Sequence, residues 1–353
     1  MINANYIFLP LTAFVISILV NKFLLLYLHR KGVLDVPNER SSHKDPTPRG
    51  GGIGIVLGVS ISALAYAAIS ADIRVFIIVL ISFIIGLVGW IDDVKKGLHT
   101  GLRIAIQFIC SVSIIYFLNP IDLLPLPLPL HIHMYYYGII ISIIWLMGIT
   151  NIFNFLDGID GYAGLQGFIG GLILSIITWG SAISIIGLLI AMACAGFLLF
   201  NWHPARIFMG DVGSSFLGFL FASLPFYFKD HPGSEIRSNV FFATAIFLWF
   251  FLLDGTFTIF RRIFKKEKIW KAHRSHLYQR LVISGMSHSE VVLTISFFYT
   301  LLILALLFYF CQPGHIIIQW PILIIGFILF LFYIFYTLYR ERKAGININK
   351  EER

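Results

Sequence analysis

Apolar runs as long as a bilayer is thick recur along this chain, and they constrain its fold more than any other feature. A helix needs about 20 mostly apolar residues to cross the hydrocarbon. Eleven runs meet that need, at roughly 5–28, 51–70, 73–91, 102–118, 137–155, 161–178, 180–200, 211–228, 239–260, 288–311 and 317–339. The fourth and sixth are short, which makes ten the lower count. With 58% hydrophobic and 12% charged residues, the composition belongs in lipid, since a soluble domain carries about 25% charged residues. The expected fold is an all-α integral membrane protein of 10–11 transmembrane helices.

The first run is not expected to be a cleaved signal peptide. It lacks a basic start, it is too long, and Lys22, His29, Arg30 and Lys31 close its far end. The basic residues set the expected orientation. Of 26 Lys and Arg, 22 fall in the loops after the odd-numbered spans or in the C-terminal tail, against 3 in the opposite loops. Positive charge stays inside, so the N-terminus is expected outside and the tail in the cytoplasm. The net charge of +8 then needs no nucleic-acid partner. No linker, repeat or soluble domain divides the chain. Residues 1–339 read as one polytopic domain and 340–353 as a basic cytoplasmic tail. Cys110, Cys194 and Cys311 lie in apolar runs and are expected to be buried small residues. His131 and His133, in a Pro- and Leu-rich outside loop, lack a third ligand and read as a surface pair.

The carboxylates near span ends carry the first functional signal. Asp92, Asp93, Asp157, Asp160, Asp211 and Asp254 all fall on the expected cytoplasmic side or in that half of a span. Ionisable groups at membrane depth are costly and usually serve a cavity. In "NIFNFLDGIDG", Asn151, Asn154, Asp157 and Asp160 recur three apart, so neighbours can point into one cavity. Gly158 and Gly161 interrupt the helix and let backbone approach a ligand. Amide oxygens beside carboxylates suit a hard cation such as Mg²⁺. Capping at the membrane interface is the competing reading.

Other polar stretches point the same way. "GWIDDVKKGLHTGLR" ends the third span with paired carboxylates and then supplies Lys95, Lys96 and Arg103. Adjacent carboxylates want a cation, a proton or a basic partner; capping and local ion pairs compete with that reading. "NWHPARIFMGDVGSS" sets Asp211 in a Gly-flanked turn before a span, as a metal ligand or an N-cap. "KAHRSHLYQRL" offers Arg274, His276 and Arg280 to phosphates, or is a solvated basic loop. The glycines closing "DVPNERSSHKDPTPRGGG" could turn backbone N–H groups to an anion, or simply give a flexible loop. Gly161, Gly164, Gly167 and Gly170 read as close helix packing rather than ligand contact. Together these residues describe a site for a phosphorylated, water-soluble substrate at a membrane surface.

Five of these stretches, in order, resemble one family: the bacterial polyprenyl-phosphate N-acetylhexosamine-1-phosphate transferases. They are "DVPNERSSHKDPTPRGGG", "DDVKKGLHTGLRIAIQ", "NIFNFLDGIDG", "NWHPARIFMGDVGSS" and "HRSHLYQRL". The wording looks most like the O-antigen-initiating branch, whose sugars are often 6-deoxy-HexNAc such as FucNAc or QuiNAc; GlcNAc is the other expectation. The resemblance implies transfer of HexNAc-1-phosphate from a UDP-sugar to undecaprenyl phosphate, with UMP leaving and Mg²⁺ or Mn²⁺ holding the pyrophosphate. It implies Asp211 as metal ligand, with Asn154 a second contact. It implies that Phe208 stacks on uracil and that Asn201 is a nucleotide-site amide. It gives Asn154, Asp157 and Asp160 to the nucleotide and pyrophosphate region, and Asp92 and Asp93 to the attacking lipid phosphate. Arg103 and Gln107 resemble a basic-plus-Gln pair beside the site. His276 resembles the first of the family's His-rich loop, flanked by Arg274 and Arg280, with Asp254 a carboxylate ahead of it. Many members have consecutive His where this chain has "HLY", so a role needing a second adjacent His has no residue here. Relatives form homodimers, which makes a homodimer an expectation of the resemblance alone.

A phosphate monoester is mostly dianionic at neutral pH, with a second pKa of about 6. Direct in-line attack is therefore the expected course, with Lys96, Arg103, Arg274 and Arg280 offsetting charge; a phospho-Asp intermediate is the other course. A secondary transporter would place its charges near the midplane, often with internal repeats. An inactive scaffold of the same fold would have lost the acidic residues, and all are present.

Overall fold

The computed structural model describes residues 5–31, 46–95, 97–122, 134, 136–228, 235–267, 274–311 and 319–346. Helices account for nearly all of it: α1 (Asn5–Lys31), α2 (Gly52–Ser70), α3 (Ile73–Lys95), α4 (Thr100–Leu118), α5 (Tyr137–Phe155), α6 (Tyr162–Ile177), α7 (Ala182–Asn201), α8 (Gly210–Ser223), α9 (Glu235–Phe247), α10 (Trp249–Phe264), α11 (Leu277–Ile283), α12 (His288–Cys311) and α13 (Gln319–Lys343). A 3-10 turn, Leu224–Phe228, extends α8. Among the described residues no strand forms. Among the described residues nine helices are long and apolar enough to cross a membrane, ten if α9 and α10 form one span. In lipid every backbone polar group must be paired within the chain, which helices achieve alone. This is a multi-pass, all-α membrane protein.

Two expected spans differ in detail. The sixth is the 16-residue α6, short for a full crossing. The ninth is broken: α9 and α10 meet at 68° around Leu248. No Gly or Pro marks that break. The Phe247 carbonyl it frees accepts hydrogen bonds from Gln166 Nε2 at 2.5 Å and Tyr299 Oη at 2.7 Å. Buried polar side chains from α6 and α12 thus replace the lost helical bond. At the C-terminus α13 runs on to Lys343, so the expected tail begins as helix.

α8 with its 3-10 turn is the centre of the bundle, 89% buried, with α3, α5 and α2 packed on it. Glycines allow this closeness. A Cβ on Gly89 of α3 would lie 2.4 Å from the Asp211 carbonyl oxygen, and one on Gly52 of α2 would lie 2.4 Å from Gly213 Cα. The N-terminal ends of α2 and α8 and the C-terminal end of α3 therefore meet backbone to backbone. Gly164, Gly167 and Gly171 of α6 face α7 in the same way, against Leu198, Cys194 and the Gly187 carbonyl. Of the series Gly161, Gly164, Gly167 and Gly170, the middle two thus pack on α7, whereas Gly170 meets Phe247 and Phe221 and Gly161 meets Trp202. Overpacking a core commonly costs about 1–3 kcal/mol, and a clash with backbone cannot relax by a rotamer change. Gly89→Val is expected to sharply lower the yield of monodisperse protein in detergent, read by size-exclusion chromatography.

Candidate active site

The glycine-mediated meeting of α2, α3 and α8 sets three carboxylates at one end of the bundle. The segment before α2 is tied to the segment before α8 by backbone: Phe208 N–H donates to the Pro48 carbonyl at 2.8 Å, and Gly50 and Gly51 N–H donate to the Phe208 carbonyl at 3.1 and 2.8 Å. Gly50 takes φ +107° and lies on the Trp90 ring, where a Cβ would come within 2.9 Å. The glycine run therefore serves a backbone splice that presents Arg49.

Arg49 and Arg103 bridge the carboxylates. Arg49 Nε lies 2.9 Å from Asp93 Oδ1, and its NH2 lies 2.5 Å from Asp211 Oδ1. Arg103 NH1 lies 2.6 Å from Asp92 Oδ2 and 2.9 Å from Asp211 Oδ2. Asp211 is thus the shared corner of two ion pairs, in the first turn of α8. Asp92 also accepts the Leu98 N–H. Asp93 differs from its neighbour. It accepts the Asp211 and Val212 N–H groups at 3.1 Å each, capping α8 from another helix, where the helix dipole favours an anion. Its side chain is 3% exposed. Asp93, expected beside the attacking phosphate, thus braces the α8 end in this structure, while Asp92 and Asp211 share Arg103.

α5 brings its amides to the same end. Asn154 Nδ2 donates to Ser214 Oγ on α8 at 2.9 Å, and its side chain hydrogen-bonds the Asp211 carboxylate. Asn151 Nδ2 donates to Gln107 Oε1 at 2.9 Å, so Gln107 of α4 orients an amide of α5. Asp157, in the loop after α5, is half-buried, and its carboxylate takes no hydrogen bond among the described residues. Burial pushes its pKa up to about 7; Arg49 opposes this, while Asp211, Asp93 and Asp160 add to it. The protonated form is thus favoured in the folded protein relative to the free carboxyl at 3.8. Any stability this confers is present at low pH and lost as pH rises from about 4 through 7. Asp157→Asn is expected to raise the melting temperature above pH 7 and to change it far less at pH 4, read by thermal unfolding across pH.

The remaining loop residues hold the cavity's shape. Gly158 leaves room for the Tyr278 hydroxyl, which a Cβ would meet at 2.1 Å; that hydroxyl donates to the Phe155 carbonyl at 3.2 Å. Asp160 is enclosed by His203, His288 and the Ala205 N–H. Burial alone would raise its pKa, but the hydrogen bonds with His288 and His203 hold it below the usual carboxylate range. Asn201 is buried, accepts the Gly161 N–H at 2.9 Å and donates to the Ile207 carbonyl at 2.9 Å. Both ends of its amide are engaged. Asn201, expected as a nucleotide-site amide, ties two site loops in this structure, and Asp160 likewise fastens a loop. Phe208 is half-buried between Arg49 and the α8 end.

Two further candidates lie at α11. His276 is 4% exposed and precedes α11. Its Nδ1 lies 3.3 Å from Asp254 Oδ1, and Asp254 also accepts the Leu277 and Tyr278 N–H groups at 2.9 and 3.3 Å. The His276–Asp254 pair anchors the start of α11, which carries Tyr278 to Gly158, so the structure gives His276 a positioning place. Arg280 is expected to clamp phosphate; instead its Nε and NH2 grip both oxygens of Glu341 on α13, at 2.6 and 2.7 Å. That fork is buried on both sides. Breaking such a pair costs about 3–5 kcal/mol because a buried charge is left alone. Arg280→Met is expected to lower the melting temperature well below that of the Arg280→Met/Glu341→Met double variant. Arg274, expected to meet phosphate, is half-buried and makes no ion pair among the described residues, and desolvation lowers its pKa. Lys96, His131, His133 and His273 lie outside the described residues.

The sequence reading missed Arg49, His203 and His288 as site residues. Arg49 stood next to the three-glycine run and was legible there only as a loop charge.

Comparison with known proteins points in one direction. The model of glycosyl transferase family 4 matches residues 75–229. A probable undecaprenyl-phosphate N-acetylglucosaminyl 1-phosphate transferase of Bacillus subtilis (strain 168) is 31% identical over 75% of this chain and 74% of its own length. A decaprenyl-phosphate N-acetylglucosaminephosphotransferase of Mycolicibacterium smegmatis is 28% identical over 81% of this chain and 77% of its own. A phospho-N-acetylmuramoyl-pentapeptide-transferase of Chlorobaculum parvum is 29% identical over 65% and 73%. With this coverage, and with the matched segments forming the carboxylate cluster, the chain belongs to glycosyl transferase family 4, the polyprenyl-phosphate N-acetylhexosamine-1-phosphate transferases.

Proposed function

We propose that this protein transfers N-acetylhexosamine-1-phosphate from a UDP-sugar to undecaprenyl phosphate, releasing UMP. One observation carries the reading: Asp92 and Asp211 converge with Arg49 and Arg103 at the end of a membrane helix bundle. Such a mixed-charge cluster suits a pyrophosphate meeting a lipid phosphate. The names of the relatives support the lipid and sugar-phosphate classes. The excess of basic residues on these loops supports a cytoplasmic placement of the site, in the bacterial inner membrane.

The donor set fits a hard divalent cation, Mg²⁺ or Mn²⁺. Asp92, Asp211 and the Asn154 amide offer only oxygen, and two guanidinium groups already answer a demand for positive charge there. Such a cation, held by these residues, would neutralise charge on the pyrophosphate. The protein's own work is positioning. Arg103 and Arg49 turn from carboxylate to phosphate oxygens as substrate enters, and Arg274 adds a guanidinium that makes no ion pair among the described residues. The lipid phosphate is already a dianion and attacks the β-phosphorus directly; UMP departs with the broken bond's electron pair. Asp92 orients the attacking phosphate through Arg103. Phe208, on the spliced loop, faces the base.

GlcNAc or a 6-deoxy-HexNAc is the sugar, and initiation of O-antigen or a related envelope polysaccharide is the pathway. Purified protein with undecaprenyl phosphate, Mg²⁺ and a panel of UDP-HexNAc donors is expected to release UMP only when lipid and metal are both present. Release independent of lipid would overturn the acceptor assignment.

A further inference from the structure

We propose that Asp160, His203 and His288 form a second cation site, of different chemistry, for Zn²⁺ or a similar borderline transition ion. The three residues come from the loop between α5 and α6, the turn after α7 and the first residue of α12. His203 Nδ1 lies 2.6 Å and His288 Nδ1 lies 3.2 Å from the same oxygen, Asp160 Oδ2. One ligand atom from each residue lies within 4.8 Å of the others, so the His203–His288 pair closes as an ion is taken up. Ligands on a tetrahedral zinc, bonded at about 2.0–2.1 Å, stand about 3.3 Å apart. The His288–Asp160 pair already has that spacing. The His203–Asp160 pair must open by about 0.7 Å, and His203 sits on a turn with 35% of its side chain exposed.

Both imidazoles turn Nδ1 to one carboxylate oxygen, and the Asp160 N–H is also directed at His288 Nδ1 at 3.3 Å. Protons shared between the imidazoles and Asp160 hold the cluster together. A cation entering here displaces those protons to solvent. The exposed side of His203 leaves a fourth position for water.

Two imidazoles and one carboxylate suit Zn²⁺ and not Mg²⁺, whereas the all-oxygen set at Asp211 has the opposite preference. The two cations therefore partition between two sites. A zinc ion at Asp160 fastens together three segments, one of which carries Asp157.

The test does not need turnover, so it stands apart from the proposed reaction. Full-length protein without a polyhistidine tag is stripped with EDTA and dialysed against ZnCl₂ in excess MgCl₂, and bound zinc is counted. About one zinc per chain is expected to remain, and both His203→Gln and His288→Gln are expected to weaken retention at least tenfold. Because His288 is buried and its variant could misfold, the partly exposed His203 provides the second variant. Co²⁺ added to the wild-type protein is expected to give visible ligand-field bands that Zn²⁺ abolishes. No retained zinc in folded wild-type protein, or retention unchanged in both variants, overturns the site.

Discussion

Asp211→Asn is expected to remove turnover, by on the order of 10³-fold or more, while the protein still extracts as folded, monodisperse helical protein. Asp211 is the residue both guanidinium groups share: Arg49 NH2 at 2.5 Å and Arg103 NH1 at 2.9 Å. Its backbone N–H bonds to Asp93, and its carbonyl presses on Gly89. Neither backbone contact needs the charge. The amide keeps the shape and the hydrogen-bonding volume of the side chain. What it loses is the negative charge that gathers cations at this corner of the bundle. The effect should appear in turnover with full occupancy of donor and lipid, not in yield or melting temperature. Turnover within tenfold of wild type would remove Asp211 from the centre of the site.

The second large effect is expected at Arg49, where the rate falls while the apparent metal affinity rises. Arg49→Gln should lower kcat by about 10²-fold, the usual scale for losing one positioned charge donor. It should also lower the Mg²⁺ concentration needed for half-maximal activity. The guanidinium bridges Asp93 and Asp211, so a divalent cation must displace or share it. The side chain is 43% exposed, and screening reduces such a pair to about 1 kcal/mol, or about a fivefold shift in apparent metal affinity. A merely structural Arg49 would change stability and leave the metal dependence alone. Arg49→Lys, which keeps the charge and loses the fork, should restore the metal dependence more than the rate.

Much of this molecule is legible in its sequence, for a physical reason. Span length and polarity are one-dimensional properties, and the eleven runs match helices or helix pairs at the expected places. Close packing at the α6 glycines was readable too, though not the partner each one meets. Partner choice across distant segments was not readable. Arg280 looked like a phosphate ligand until Glu341, 61 residues on, took its fork. Asp92 and Asp93 are neighbours in sequence but turn to different partners, Arg103 and the α8 end. The break at Leu248 carries no local mark, because the groups that satisfy it are Gln166 and Tyr299. Arg49 was hidden for the opposite reason: its glycines suggested freedom, whereas a splice with Phe208 fixes it.

The central claim is that a sugar phosphate, not a bare sugar, passes to the lipid. UDP-GlcNAc, or the donor preferred in the panel, labelled with ³²P at the β-phosphorus tests it most directly. After incubation with undecaprenyl phosphate and Mg²⁺, label is expected in the lipid phase with wild-type protein and to be absent with Asp211→Asn. Lipid carrying sugar while the label stays with the nucleotide would contradict the account, because the bond broken would then be the glycosidic one.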